Sequence, residues 1–336
     1  MAGTFIRLNS DDFVVSADSV TSPLWSNGAP TLTKFYSSSV QEAGSSGNYY
    51  LNIYQTASAL DSAEIQFAIT YGDALGSGSS LYNAAVSGLS YSRTIYGQYR
   101  NLVLGTETGE FVFGNTTSSY FWAISVDRSR YKQSLLPGTM TLKLSGSGGI
   151  ISLTDNSRYV ASETFNDAGR VYELVSGSAG TLYSGVNTNG YSATKGAYGW
   201  FLPDIATILI NPLATSESIG LAANRPSGSD GLNNRALLNA LNLGATFTAN
   251  SQETIAADYI FVRARNAEFN YSENPSFISG STGEIIYDNF INNPQTFPTT
   301  IGLYNDNNEL LAVAKLSRPL LKDFTKEALV RVKLDF

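Results

Sequence analysis

The chain contains no cysteine and no histidine. Without cysteine there is no disulfide, no thiolate nucleophile and no thiolate metal site. Without histidine the side chain that titrates nearest neutral pH is missing, and with it the commonest metal ligand. No metal or organic cofactor is expected. Charge is scarce as well: 15% of residues are Asp, Glu, Lys or Arg, against about 25% in an ordinary soluble domain. The net charge of −7 and pI of about 4.7 argue against nucleic acid as a partner, because phosphate binding needs a basic footprint. No apolar run approaches the roughly 18 residues a membrane helix needs. The start, Met1-Ala-Gly-Thr-Phe-Ile-Arg7, lacks the pattern of a signal peptide. The expectation is a protein made in the cytoplasm, without membrane insertion.

Ser, Thr, Asn and Gly stand in place of the missing charge, with 20 Tyr and 17 Phe. A polar, weakly charged, Tyr-rich surface fits permanent protein contacts. An ordinary β-rich chain has the same bias, since strands favour Tyr, Phe and Thr. With 336 residues the chain can bury a core without staples, as two domains or one large β domain.

Most segments read as short strands between Gly, Ser and Asn turns. Ala63–Tyr71 alternates at Ile65, Phe67 and Ile69, and Arg170–Val175 is a further strand. Met140–Leu144 and Gly149–Leu153 flank a Ser-Gly-Ser-Gly turn, as in a hairpin. Trp200–Ile210 suits either a helix opened by Pro203 and Asp204 or a buried strand. Leu232–Leu243 predicts a helix with Leu232, Ala236, Leu237, Ala240 and Leu241 on one face and Gly244 as its stop. The fold class expected is mainly β: a sandwich or barrel-like domain over 1–213 and a smaller β-rich domain over 214–336. The second would hold the 232–243 helix, a hairpin at 299–304 and 309–315, and a strand running from Glu327 to Phe336. The boundary rests on the loop chemistry of residues 215–231.

Few enzyme chemistries remain. A glycosidase needs two carboxyls at a defined separation, and the adjacent acids are Asp11 with Asp12 and Glu107 with Glu110. Acids of this kind are usually exposed turn residues. No Gly-x-Ser-x-Gly elbow marks a nucleophilic serine. The Gly-rich stretches 72–80 and 146–149 lack the lysine and the following helix of a phosphate cradle, and Asp306–Glu309 lacks calcium-loop spacing. Tyr49-Tyr50, Tyr120-Phe-Trp122, Trp25 and Trp200 would serve a glycan-binding face or, as core and interface aromatics, packing. No catalytic residue is expected.

One asymmetry stands out. Residues 315–336 carry a net charge of +3 on an otherwise acidic chain of −10. Lys315, Arg318, Lys322, Lys326, Arg331 and Lys333, with the terminal Phe336, are therefore candidate contacts for an acidic neighbour in a ring or homo-oligomer. A solvated strand face is the plainer reading of the same charges.

Several segments resemble virion structural proteins of cyanophage-like contractile-tailed bacteriophages of the myovirus type. They are Ser26–Thr33, Tyr49–Tyr54, Ile95–Leu102, Leu136–Leu142, Ile205–Pro212 and Asn270–Pro275. The most specific are Thr299–Leu316 and the Glu327–Phe336 end. The resemblance implies a non-enzymatic particle component, of tail or baseplate type, whose partners are other virion proteins. A host-glycan adhesin or fibre-associated module and a capsid or neck component are the alternatives it leaves open. Leu136 stands where similar proteins often carry Asp, so no role is transferred to that turn.

Overall fold

The computed structural model describes residues 5–37, 50–76, 91–185, 191–192, 194–224, 230–272 and 274–335. The protein is mainly β, with 42% strand and 16% helix. It divides into two compact units, Ser19–Glu253 and a second formed by Met1–Asp18 with Thr254–Phe336. The division falls at Glu253, beyond the boundary expected from the loop chemistry of 215–231. The helices on either side of that loop belong to the larger unit, because their apolar faces are used there.

The larger unit is built on one curled antiparallel sheet forming a half-barrel. From edge to edge its strands are Thr31–Leu32, Phe247–Thr248, Thr141–Gly146, Gly149–Asp155, Gly169–Ser178, Gly199–Leu202, Thr207–Ile210, Tyr120–Val126, Ile65–Asp73, Tyr50–Tyr54 and Tyr36–Ser37. The expected hairpin after Met140 is present, with Leu142 opposite Leu153 and Gly146 opposite Gly149. The ambiguous Trp200–Ile210 segment is a second hairpin. Pro203-Asp204-Ile205-Ala206 makes the turn, and Asp204 accepts a bidentate pair from Arg170, Nη2 to Oδ1 at 2.6 Å and Nε to Oδ2 at 3.2 Å. Gly199 sits at φ 145°, and a Cβ there would lie 1.8 Å from the Leu209 carbonyl oxygen, so only glycine fits.

Both faces of the sheet are covered, which is why its central strands lack strict alternation. On one face Trp25, Phe67 and Phe247 pack with ring centroids 4.9–6.0 Å apart. The helix Asp230–Gly244 closes this side with Leu237, Leu238, Ala240 and Leu241. It contains the expected helix, but Leu232 is exposed and Asn233 and Asn234 are buried in its place. The Asn233 carbonyl accepts a bond from Trp122 Nε1 at 3.0 Å. On the other face the helix Ser92–Leu104 covers Phe111, Phe113, Phe121 and Leu209. That helix was not anticipated from Gly97 and its aromatic neighbours, although Ile95, Tyr99 and Val103 recur at helical spacing. It lies close because residue 72 is glycine: a Cβ there would meet the Phe121 ring at 3.0 Å and Tyr96 N at 3.1 Å.

Candidate assembly surface

The smaller unit is arranged around the long strand Asn250–Ala264. From Ala257 onward it pairs with the terminal strand Ala328–Asp335, in a ladder running from Ala257 opposite Asp335 to Ala264 opposite Ala328. The strand Phe13–Pro23 lies along its other side. Alternation along the terminal strand turns Val330, Val332 and Leu334 inward and Leu329, Arg331 and Lys333 outward. Val332 is buried opposite Ile260.

Among the described residues of this unit, the buried apolar side chains are Ala257, Ile260 and Val332, and none belongs to either hydrophobic core. Many of its large apolar side chains are instead exposed. Phe5 precedes the N-terminal strand, Phe13, Val14 and Val15 lie in it, and Ile286, Tyr287, Ile291 and Phe297 lie in or around the short helix Asp288–Asn292. Leu310, Leu311 and Val313 follow in the hairpin, then Phe324 and Leu329 at the terminal strand. Scattered exposed apolar residues are ordinary. A whole unit that exposes more large apolar side chains than it buries is not.

The hairpin Thr300–Tyr304 with Leu310–Lys315 is where the turn chemistry placed it. Asn305 Oδ1 accepts from the amides of Asn307 and Glu309 at 3.0 and 2.8 Å. It does not share a sheet with the terminal strand. Its two strands form a sheet of their own, and an isolated two-stranded ribbon is marginal in water. The register shifts between Leu303 and Tyr304, so Leu311 falls at a bulge and stands 68% exposed. Open ladder edges on such a ribbon are templates for another strand.

The candidate basic contacts separate into distinct environments. Lys322 is fully buried, which removes it from any surface. Lys333 pairs with Asp18 at 2.9 Å and Asp335 at 3.0 Å. Its ammonium, then the Tyr259 hydroxyl at 3.2 Å, hold the Asp18 carboxyl below the usual carboxylate range. Lys326 pairs with Asp323 at 3.4 Å. Arg331 is exposed, its guanidinium 5.2 Å from the Tyr259 ring centroid. Lys315 and Arg318 are exposed, and Phe336 lies outside the described residues. The terminal segment is therefore not a continuous basic strip. Arg331→Glu alters only the outer face. Lys333→Glu would set a third carboxylate beside Asp18 and Asp335, and is expected to weaken the sheet itself, measured as a lower urea midpoint than Arg331→Glu gives.

In the larger unit the buried Asp155 and the half-buried Glu173 carry no sequence signature: in an alternating strand each reads as an ordinary polar position. Burial pushes the Glu173 carboxyl up to about 7. Its Oε1 accepts from Trp200 Nε1 at 3.2 Å and Gly114 N at 3.3 Å, while Oε2 has no partner. Burial also raises Asp155, whose two oxygens accept from Gly138 N at 2.8 and 3.0 Å. Asp155 is the cross-strand partner of Leu174, so Glu173 projects from the opposite face, and the two carboxyls cannot flank one bond. Asp11 and Asp12 lie in a single exposed turn, and Glu107 and Glu110 lie on an exposed loop. Trp25, Phe121 and Trp122 are buried and cannot stack on a sugar. A cavity of about 200 Å³ lined by Tyr50, Thr70, Ile95, Gln98, Tyr99 and Ser125 is smaller than the 300 Å³ or more usual for ligand pockets. No helix among the described residues is long and apolar enough to cross a membrane.

No protein-family model, curated protein or solved structure matches this chain.

Proposed function

We propose that this chain is a structural subunit of a virus particle, of the tail or baseplate type found in contractile-tailed bacteriophages. It acts through contacts with other virion proteins and with further copies of itself. The observation that carries the assembly role is the smaller unit, where many large apolar side chains face outward and Ala257, Ile260 and Val332 are the buried apolar residues among those described. Burying apolar surface contributes about 25 cal/mol per Å², so a neighbouring subunit supplies what this unit does not bury within itself. The phage setting rests on the resemblance of the Thr299–Leu316 and Glu327–Phe336 segments. Low charge and abundant Tyr suit a surface that stays covered.

The test replaces exposed side chains that support nothing inside the chain. Leu311→Asp combined with Val313→Asp is expected to leave the urea midpoint of the half-barrel unchanged, because neither residue belongs to a core cluster. Incorporation into particles, measured by complementation of a phage lacking the wild-type gene, should fall at least tenfold. Normal incorporation of the doubly substituted chain would refute the hairpin's part in assembly. Binding of the isolated wild-type protein to host cells, unaffected by the substitutions, would favour an adhesin instead.

A further inference from the structure

Among the described residues of the smaller unit, Lys322 is a buried cation that no carboxylate pairs with. Lys322 has 0% exposure and Asn270 has 1%. Lys322 Nζ donates to Asn270 Oδ1 at 2.7 Å, to the Asn266 carbonyl at 3.0 Å and to the Asp323 carbonyl at 3.0 Å. Among the described residues no carboxylate pairs with it. The Asp323 side chain is occupied elsewhere, by Thr325 and Lys326. A buried charge is costly unless an opposite charge compensates it.

The surroundings hold this pair in place. Lys322 and Thr296 exchange backbone bonds of 2.9 Å in both directions, and the Thr296 hydroxyl donates to the Phe269 carbonyl. The Asn270 loop, Thr296 and Lys322 thus fix one another. The Asn266 carbonyl accepts from Lys322 Nζ and, at 2.7 Å, from Asn270 Nδ2. One oxygen therefore orients both nitrogens. With a C=O bond of about 1.2 Å, Asn270 Cγ lies within about 4 Å of Nζ, close to the separation of reacting atoms in a near-attack geometry.

We propose that Lys322 and Asn270 are the partners of an intramolecular isopeptide cross-link. The Lys322 ammonium gives up a proton and its Nζ attacks the Asn270 side-chain carbonyl carbon. The Nζ–Cγ bond forms, the Cγ–Nδ2 bond breaks, and the two protons given up by Nζ leave with Nδ2 as ammonium. Nothing is oxidised or reduced, and no cofactor enters. The product is a neutral amide, which removes the uncompensated buried charge. Asn270 and Lys322 are 52 residues apart, so the bond closes a long loop ahead of the terminal strand. A unit with so small a core, in a chain without cysteine, gains most from a covalent staple.

Mass spectrometry of the purified full-length protein tests this. The wild-type chain should be lighter than its sequence by one ammonia, and digestion should yield a branched peptide joining the Asn270 and Lys322 segments. After complete denaturation the Lys322 amine should resist acylation while Lys315 and Lys326 react. Lys322→Arg and Asn270→Ala should each restore the missing mass. A wild-type chain of full mass, with Lys322 acylated as readily as its neighbours after incubation at neutral pH, overturns the proposal. That readout needs no variant, so a variant that fails to fold does not blur it.

Discussion

Glu173→Gln is expected to stabilise the half-barrel at pH 8 by about 3 kcal/mol more than at pH 4. The carboxyl is displaced from an ordinary 4.5 to about 7, and each pH unit of displacement is worth about 1.4 kcal/mol. The direction follows from linkage. The folded state holds the proton more tightly than the unfolded chain. Stability is therefore fully present below about 4.5, declines as pH rises toward 7, and is at its lowest above that. Glutamine is the same shape and stays neutral throughout. Its oxygen can keep the bonds from Gly114 and Trp200, and its amide nitrogen takes the place of the partnerless Oε2. An unpaired donor there costs about as much as the unpaired hydroxyl of the protonated acid, so the comparison between pH values isolates the charge. Urea midpoints of both proteins at pH 4, 6 and 8 provide the measurement. A difference between the two proteins that does not vary with pH would show that Glu173 is solvated in the folded state.

Glu173 also marks where sequence reading stops. Its strand was legible because Arg170–Val175 alternates, but alternation assigns residues to faces without saying which face is covered. The half-barrel is covered on both sides, so a polar position on the second face became a half-buried one with its Oε2 shut away from solvent. The same cause hid the helix Ser92–Leu104, whose role is to cover that second face. The Met140–Asp155 and Thr300–Lys315 hairpins were readable because their turns carry local chemistry, glycines in one and Asn305 in the other. The unit boundary was not, since the loop after Ile219 looks like a linker and only the packing of Leu237 and Leu241 ties the next helix to the half-barrel. Among the candidate contacts, sequence supplied the charges but not their neighbours. Lys322 and Lys333 look alike in the chain, yet one is enclosed by carbonyl groups and the other is clasped by two carboxylates.

Deleting residues 328–336 is expected to unfold the smaller unit and leave the half-barrel intact. The deletion removes the whole 8-residue terminal strand and every ladder partner of residues 257–264 on that side. It also removes the buried Val332, which lies opposite Ile260, and exposes Ile260. Each of these side chains is worth roughly 1.5–3 kcal/mol when fully buried. A unit whose described buried apolar set is three residues has little else to draw on, and domains as a class are stable by only about 5–15 kcal/mol. No described residue of the deleted segment belongs to a core cluster of the half-barrel. Ser251 and Gln252, at the start of the same long strand, pair instead with Leu135 and Ser134. Hydrogen exchange separates the two regions within one molecule. Amides of 257–264 should lose protection by several orders of magnitude, while those of 121–126 and 207–210 keep theirs. The shorter deletion of Leu334–Phe336 removes, among the described residues, the partners of Ala257 and Asp258 and should fray that end without unfolding the unit. Protection of 257–264 that survives loss of the full strand would mean that the Phe13–Pro23 side alone holds the long strand. Loss of protection in 121–126 would mean that the two units fold as one.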